Sequence, residues 1–326
     1  MKRTLTAVLV SAMALLAACS EEEKKEIIAE EVDTKASAET TVAVKPTTIQ
    51  GEDYDEEGGA DAYAEAGDNP ESRYYKAPDF YNTKSDENVT IIENFETMQQ
   101  TTEWSCGPAT ALIVANHFGY TGMTEMDIAE AMKAHTDLDV EGATPGSANN
   151  FHEYGSDVSK LYHFFNNLEG FEVVDSSYNA AYKESDLIQA DAGATGANVG
   201  NLPETFTWNS LYATENSNIT EAWVTDAKDS YFVKWLTGHL AADRPIMVEW
   251  SDWGGHWQAI TGYDNNGTPG IGDDMLIFAD PYDTSDHWQD GYYFYPLERW
   301  FGMWNDRNIA PKPYQLQPFI VVDKIN

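Results

Sequence analysis

Cys106 to Phe118 reads Cys-Gly-Pro-Ala-Thr-Ala-Leu-Ile-Val-Ala-Asn-His-Phe, apolar on nearly every side when wound as a helix. A helix with no polar face must be buried, so the rest of the domain has to be built around it. Pro108 is tolerated in its first turn and Gly119 suits the position just past its end. Thr124 starts a second helix, with Ile128, Ala131 and Met132 at helical spacing. Asp157 caps a third, with Val158, Leu161, Tyr162, Phe165 and Leu168 on one face. Gly170 ends it, and Phe171 to Val174 reads as a strand. Residues 176–228 are rich in Asn, Gly, Thr and Glu and read as an insertion, largely loop. A fourth helix runs from Tyr231 to Leu240. Strands then dominate: Pro245–Trp250, His256–Thr261, Met275–Ala279 and Pro318–Val322. Asn265-Asn266-Gly267 marks a turn, and Leu297 to Trp304 a short helix. Helices first and an antiparallel sheet second is an α+β pattern in one core domain, with no internal repeat.

Composition narrows the function classes. The 326 residues carry 55 acidic against 19 basic side chains, a formal charge of −36. Such a surface repels phosphate, so no nucleic-acid partner is expected. Two cysteines, Cys19 and Cys106, are too few for a disulfide scaffold or a zinc ribbon. A mean hydropathy of −0.48 excludes a polytopic membrane protein. Met1-Lys2-Arg3, followed by an apolar run from Thr4 to Leu15, reads as a signal peptide. The run is too short for a membrane-spanning helix, which needs about 20 residues. Leu16-Ala17-Ala18-Cys19 resembles the lipobox of bacterial lipoproteins. That resemblance implies cleavage after residue 18 and lipidation of Cys19, hence a lipid bilayer as partner and a place in the bacterial cell envelope. With Ser20 next, it implies the outer membrane in a Gram-negative host. Residues 20–70 hold 16 acidic and 4 basic side chains and cannot bury enough apolar surface to fold. Residues 19–84 are therefore expected to be an acidic tether and 85–326 the folded domain. The sequence carries no signal for an oligomeric state.

Cys106 is the first candidate for chemistry. A lone thiol is an oxidative liability in an exported protein, and with Cys19 acylated it has no partner. It also opens a buried helix, where backbone N–H groups and the helix dipole stabilise a thiolate. A thiol nucleophile needs a base, and the base needs an orienting group. Of the seven histidines, His117, His135 and His163 lie in or near helices, and His152, His239 and His287 at loops or helix ends. His256 follows Gly254-Gly255 and opens an apolar strand. Asp280 ends the next strand before Pro281, in a position to sit beside that histidine; Asp264 and Asp283 are its rivals.

These residues resemble a known family. Gln100-Thr101-Thr102-Glu103-Trp104-Ser105-Cys106-Gly107-Pro108-Ala109 is similar to the nucleophile motif of the bacteriocin-processing (double-glycine leader) cysteine peptidases, within the papain-like clan. Gly255-His256-Trp257 through Gly262-Tyr263-Asp264, then Asp280-Pro281, is similar to that family's histidine and aspartate motifs. The resemblance covers roughly residues 95–322. It implies a papain-like fold, with the nucleophile helix packed on an antiparallel sheet. It implies Cys106 as nucleophile, His256 as general base and then acid, Asp280 as its orienting group, and Gln100 as oxyanion donor with the Cys106 backbone N–H. Trp104 and Trp257 are candidates for substrate contact; with Trp250 and Trp253, Trp257 lines a subsite or shields the imidazole. The partner is then a peptide or protein substrate. Acyl transfer or deamidation at the same site, and a non-catalytic surface-binding lipoprotein, are the rival classes. The long Cys-to-His segment and the absence of following transporter segments set the chain apart from leader-cutting members.

No His-Glu-x-x-His occurs, since His152-Glu153 continues Tyr154-Gly155-Ser156, so no metal cofactor is expected. The loop from Asp264-Asn265-Asn266-Gly267 to Gly272-Asp273-Asp274 has oxygen ligands for a structural calcium ion, and turn chemistry explains it equally well.

Overall fold

The computed structural model describes residues 47–48, 70–73, 75–102, 104–134, 155–179, 205–250, 255–283, 288, 290–305 and 314–325. The apolar stretch that opened the reading is α1 (Cys106–His117), and each residue from Cys106 to Ala115 is buried. α2 (Glu125–Met132) starts at Thr124, whose hydroxyl accepts the Asp127 N–H while Asp127 reaches back to the Thr124 N–H. This reciprocal capping box satisfies two backbone donors that the helix itself cannot pair. α3 (Val158–Asn167) starts at Asp157, whose carboxylate accepts the N–H groups of Ser159 and Lys160. The remaining helices are α4 (Tyr231–Ala241) and α5 (Leu297–Met303).

The strands are β1 (Thr47–Thr48), β2 (Val89–Ile91), β3 (Met98–Gln99), β4 (Phe171–Ser176), β5 (Ile246–Trp250), β6 (His256–Asp264), β7 (Met275–Ala279), β8 (Tyr292–Pro296) and β9 (Phe319–Lys324). β1 and β3 form a separate two-residue parallel pair. The main sheet has seven strands in the order β4-β9-β5-β6-β7-β8, with β2 pairing the far end of β6. Every pairing within it is antiparallel. The central β5 is buried along its whole length, as is β6 up to Asp264. Burial on both faces removes the apolar–polar alternation of a half-exposed strand, and polar side chains such as Glu249, Gln258 and Thr261 sit inside. The fold is thus α+β, as expected. α1 packs on β6, and α3 on β4 and β9. Full burial of side chains such as Leu112, Ile113 and Val114 contributes roughly 1.5–3 kcal/mol each. Among the described residues, no helix is long and apolar enough to cross a membrane.

Two boundaries differ from the sequence reading. The folded body starts before residue 85: Phe80 packs on Tyr292 and Phe294, and Asp79 closes a turn by accepting the N–H of Asn82. Two aromatics in a polar stretch are enough to cover the apolar patch of Ile91, Ile277 and Tyr292. The described part of 176–228 is also woven into the body. β4 runs through Ser176, and Phe206 sits in an aromatic cluster with Phe232, Trp235, Trp304 and Phe319. The Gln317 amide clamps Phe206 by accepting its N–H and donating to its carbonyl. Trp208 packs against Tyr212 and Phe301, although it and Trp223 stay half exposed. Residues 180–204 lie outside the described residues.

The loop after β6 is built by turn chemistry. Asp264 accepts the Asn266 N–H, Asn265 accepts the Gly267 N–H, and Thr268 donates to Asp273. Asp274 is wholly buried. Its Oδ2 accepts the Tyr263 hydroxyl at 2.6 Å, and its Oδ1 makes no hydrogen bond. Burial, opposed by the Tyr263 bond but reinforced by the nearby Asp273, Asp264 and Asp226, pushes its pKa up to about 6. A carboxyl raised in the folded state costs stability once pH exceeds its unfolded value near 3.8. Asp274→Asn keeps an acceptor for Tyr263 and removes that charge. Its thermal midpoint should exceed wild type above pH 6, by roughly 2–4 °C per kcal/mol recovered, with the gain vanishing below pH 4. Calorimetry across that range checks this.

Candidate active site

Cys106 is the first residue of α1, and the N-terminus of this helix is kept open. Ser105 does not cap it with its side chain, and no acidic residue lies in the first turn. Ser105 instead receives the Thr102 hydroxyl at 2.7 Å. The first backbone N–H groups of a helix have no partner within it, so their positive field is left to the Cys106 sulfur. Gly107 is required next in sequence. A Cβ there would stand 2.6 Å from the Ser156 Cβ, so only glycine lets the segment before α3 cross the start of α1. The Cys106 thiol is a free cysteine and is buried.

His256 opens β6. The residue before it, Gly255, has φ 115°, a conformation L-residues rarely adopt. That kink lets the chain enter the strand with the imidazole turned toward α1. His256 Nε2 lies 2.6 Å from Asp280 Oδ1, with both residues no more than 4% exposed. The imidazole N–H donates and the carboxylate accepts, which leaves Nδ1 for another partner. Burial alone disfavours the imidazolium. The Asp280 carboxylate, and after it Cys106, more than offset this and push the His256 pKa up to about 10. For Asp280, burial raises the pKa, but the His256 charge and hydrogen bond, the Tyr282 N–H and Gln258 outweigh it. Its pKa ends below the usual value. Among the described residues these groups favour an ionised pair, Asp280 carboxylate and His256 imidazolium.

Asp280 is positioned by backbone. Its own N–H donates to Gly291 O at 2.8 Å, and its Oδ1 also accepts the Tyr282 N–H at 2.9 Å. Its rivals are engaged elsewhere: Asp264 closes its turn, and Asp283 accepts the Gly291 N–H at 2.6 Å. The Gln100 N–H donates to Pro281 O at 2.8 Å, so the residue after Asp280 is tied to the segment that leads to Cys106. The Gln100 side chain is fully buried. Its Nε2 donates to Thr102 O at 2.6 Å, and a primary amide keeps a second hydrogen to donate.

The other sequence candidates fall differently. Trp104 and Trp257 are 4% and 1% exposed and belong to the main core. Trp257 donates its indole N–H to Ser156 O. Both pack the site from beneath and offer no open face to a substrate. The large planar side chains that made them look like subsite walls are what a buried helix–sheet junction needs. His117 lies beside Asp243, His163 beside Tyr178, and His239 beside Asp175. Cys19, His135, His152, Trp253 and His287 lie outside the described residues. Among the described residues, no group of three or more His, Cys, Asp or Glu side chains is arranged to hold a metal ion.

One supporting residue escaped the sequence reading. Glu125, fully buried, accepts the Thr101 N–H at 3.2 Å and the Thr101 hydroxyl at 3.1 Å. It holds the loop between Gln100 and Cys106 from the first turn of α2. An acidic residue there looks like ordinary helix-dipole chemistry, so nothing in the sequence marked it.

The ionised pair has a stability consequence. A raised His256 contributes fully below its unfolded pKa of 6.5 and loses its contribution as pH rises through about 10. A lowered Asp280 contributes above 3.8 and loses its contribution as pH falls. Asp280→Asn should therefore be most destabilised, by about 3–5 kcal/mol, between pH 4 and 6.5. The deficit should shrink toward pH 10, as read by urea unfolding at a series of pH values.

Residues 92–307, more than half of the chain, match the profile of a family described as the Peptidase_C39-like family. The match spans the thiol at the head of α1, the histidine at the start of β6 and the aspartate after β7. No curated protein matches the chain. The chain belongs to the Peptidase_C39-like family of cysteine peptidases.

Proposed function

We propose that the protein is an envelope-anchored, papain-like cysteine peptidase that cleaves peptide bonds through Cys106, His256 and Asp280 with an acyl-thioester intermediate. The observation that carries this reading is the buried His256–Asp280 contact of 2.6 Å, beside a free, buried thiol at Cys106 that favours the same imidazolium. In this reading the Cys106 thiolate attacks the substrate carbonyl. The developing oxyanion takes hydrogen bonds from the Cys106 N–H and the second hydrogen of the Gln100 amide. The His256 imidazolium gives its proton to the leaving amine as the C–N bond breaks, and the thioester forms. The neutral imidazole then takes a proton from water. The resulting hydroxide attacks the thioester, and the carboxylic acid leaves as the thiolate and imidazolium are restored. Asp280 keeps its hydrogen bond to Nε2 throughout, holding the tautomer and the ring plane.

The anchor rests on the Leu16-Ala17-Ala18-Cys19 run. Two or more acyl chains hold a protein on a bilayer where one does not, and the acidic stretch behind Cys19 spaces the domain from the surface.

The test uses the full-length chain carrying Cys19→Ala, so that Cys106 is the remaining thiol. Iodoacetamide should alkylate Cys106 selectively, and Cys106→Ala should abolish peptide hydrolysis. Gln100→Ala should lower kcat by about 10²–10³-fold with KM little changed. An unreactive Cys106, or hydrolysis that survives Cys106→Ala, sinks the reading. For the anchor, labelling of wild type with a palmitate analogue in a bacterial host should disappear in Cys19→Ala.

A further inference from the structure

We propose that Gln258, with its amide orientation set by Trp250, is a positioning residue that holds the Asp280 carboxylate toward His256. The inference rests on the peptidase reading above and extends it to a second layer of side chains.

The register of the sheet places these residues together. Ala259 pairs with Ala279 across β6 and β7, so the next position along the same ladder sets Gln258 opposite Asp280. Gln258 lies two residues after His256 on β6, and side chains two apart on a strand share a face. Trp250 pairs with His256 and Val248 with Gln258 across β5 and β6, which brings Trp250 to that face too. Directly opposite and diagonal neighbours on one face are within reach of each other.

The amide has one available orientation. The Trp250 indole N–H donates to Gln258 Oε1 at 2.8 Å. An indole N–H can only donate, so the oxygen of the amide must face Trp250 and the NH₂ must face away. Gln258 is wholly buried, and Trp250 is 4% exposed. A buried primary amide is costly unless its hydrogens find acceptors. The Nε2 has no hydrogen-bond partner in this structure. The register sets the Asp280 carboxylate opposite it, and Gln258 favours the anionic form of that carboxylate. Hydrogen bonds left loose in unliganded sites often tighten when substrate binds. The titratable groups facing Asp280 and His256 among the described residues are Cys106 from α1 and Tyr282 after β7, whose ring packs edge-on against the imidazole.

Leucine or methionine would fill this position without burying a polar group. The amide oxygen already serves the Trp250 N–H, and the NH₂ is the half of the group left to face Asp280. Without that donor the carboxylate is more basic and takes a proton at higher pH. A protonated Asp280 no longer supports the imidazolium.

The experiment measures the rate of Cys106 alkylation by iodoacetamide against pH in the full-length Cys19→Ala chain. It compares wild type with Gln258→Met, Gln258→Glu, Trp250→Phe and the Trp250→Phe/Gln258→Met pair. Thermal midpoints are recorded alongside. The acid limb should move up by about one pH unit in Gln258→Met, the scale on which one lost interaction changes an equilibrium tenfold. Gln258→Glu is close to isosteric and should shift in the same direction, because two facing carboxylates share a proton. Trp250→Phe should shift less, and adding it to Gln258→Met should change little, since both cut one chain. Acid limbs that coincide with wild type while the midpoints fall would reduce Gln258 to a packing residue and overturn the inference. Additive shifts would overturn the coupling to Trp250. If wild-type Cys106 is not alkylated at all, the peptidase reading itself falls first, and this inference with it.

Discussion

A carboxylate and an imidazole 2.6 Å apart, both nearly sealed from water, constrain everything built around them. Neither charge is tolerable there alone, because burial without a partner costs several kcal/mol. The surroundings therefore have to deliver both groups to the same point. β6 brings the histidine and the end of β7 the aspartate, and their antiparallel register determines where the two meet. Backbone bonds from Tyr282 and to Gly291 hold the carboxylate. The Gln100-to-Pro281 bond fastens the approach to α1 onto the same turn. The proposed nucleophile, base and oxyanion donor thus hang on one junction between sheet and helix start.

The acidity of the chain has two different consequences. On the surface, carboxylates are solvated and screened. Among the buried carboxylates, two respond in opposite directions. Asp280 is matched by a cation and by donors, and its pKa falls. Asp274 is matched by a single tyrosine hydroxyl amid three other aspartates, and its pKa rises. The same residue type is thus a structural asset in one place and a liability in the other, and the difference is the number of donors that reach it.

The helices were legible because their signals are local. Thr124 and Asp157 cap from within their own turns, and the all-apolar run of α1 could only be interior. The strands of the sheet centre were legible for the same reason, as short, largely apolar runs. β2 and β8 were not. β2 is three residues long, and β8, Tyr-Tyr-Phe-Tyr-Pro, is strand mainly because β7 lies beside it. Phe80 and Phe206 were read as parts of a tether and an insertion, since a single aromatic in a polar stretch does not announce the patch that it covers. Trp104 and Trp257 failed in the opposite direction. Their place next to the motif residues was read correctly, but whether such a ring faces a cleft or a core is not a property of sequence neighbours.

By itself, then, the amino-acid sequence determined the α+β class and the thiol at the head of a buried helix, which follow from residue type, spacing and chain order, and it offered His256 and Asp280 as candidates that the family resemblance singled out. Tertiary structure alone decided which atoms meet. It turned the Asp280 carboxylate to Nε2, opened the end of α1 by drawing Ser105 to Thr102, tied Gln100 to Pro281, and set Gln258 opposite Asp280. Those contacts join residues from 3 to 181 positions apart. Only strand register and burial bring most of them together, and burial is also what turns a short contact between two ionisable groups into a strong one.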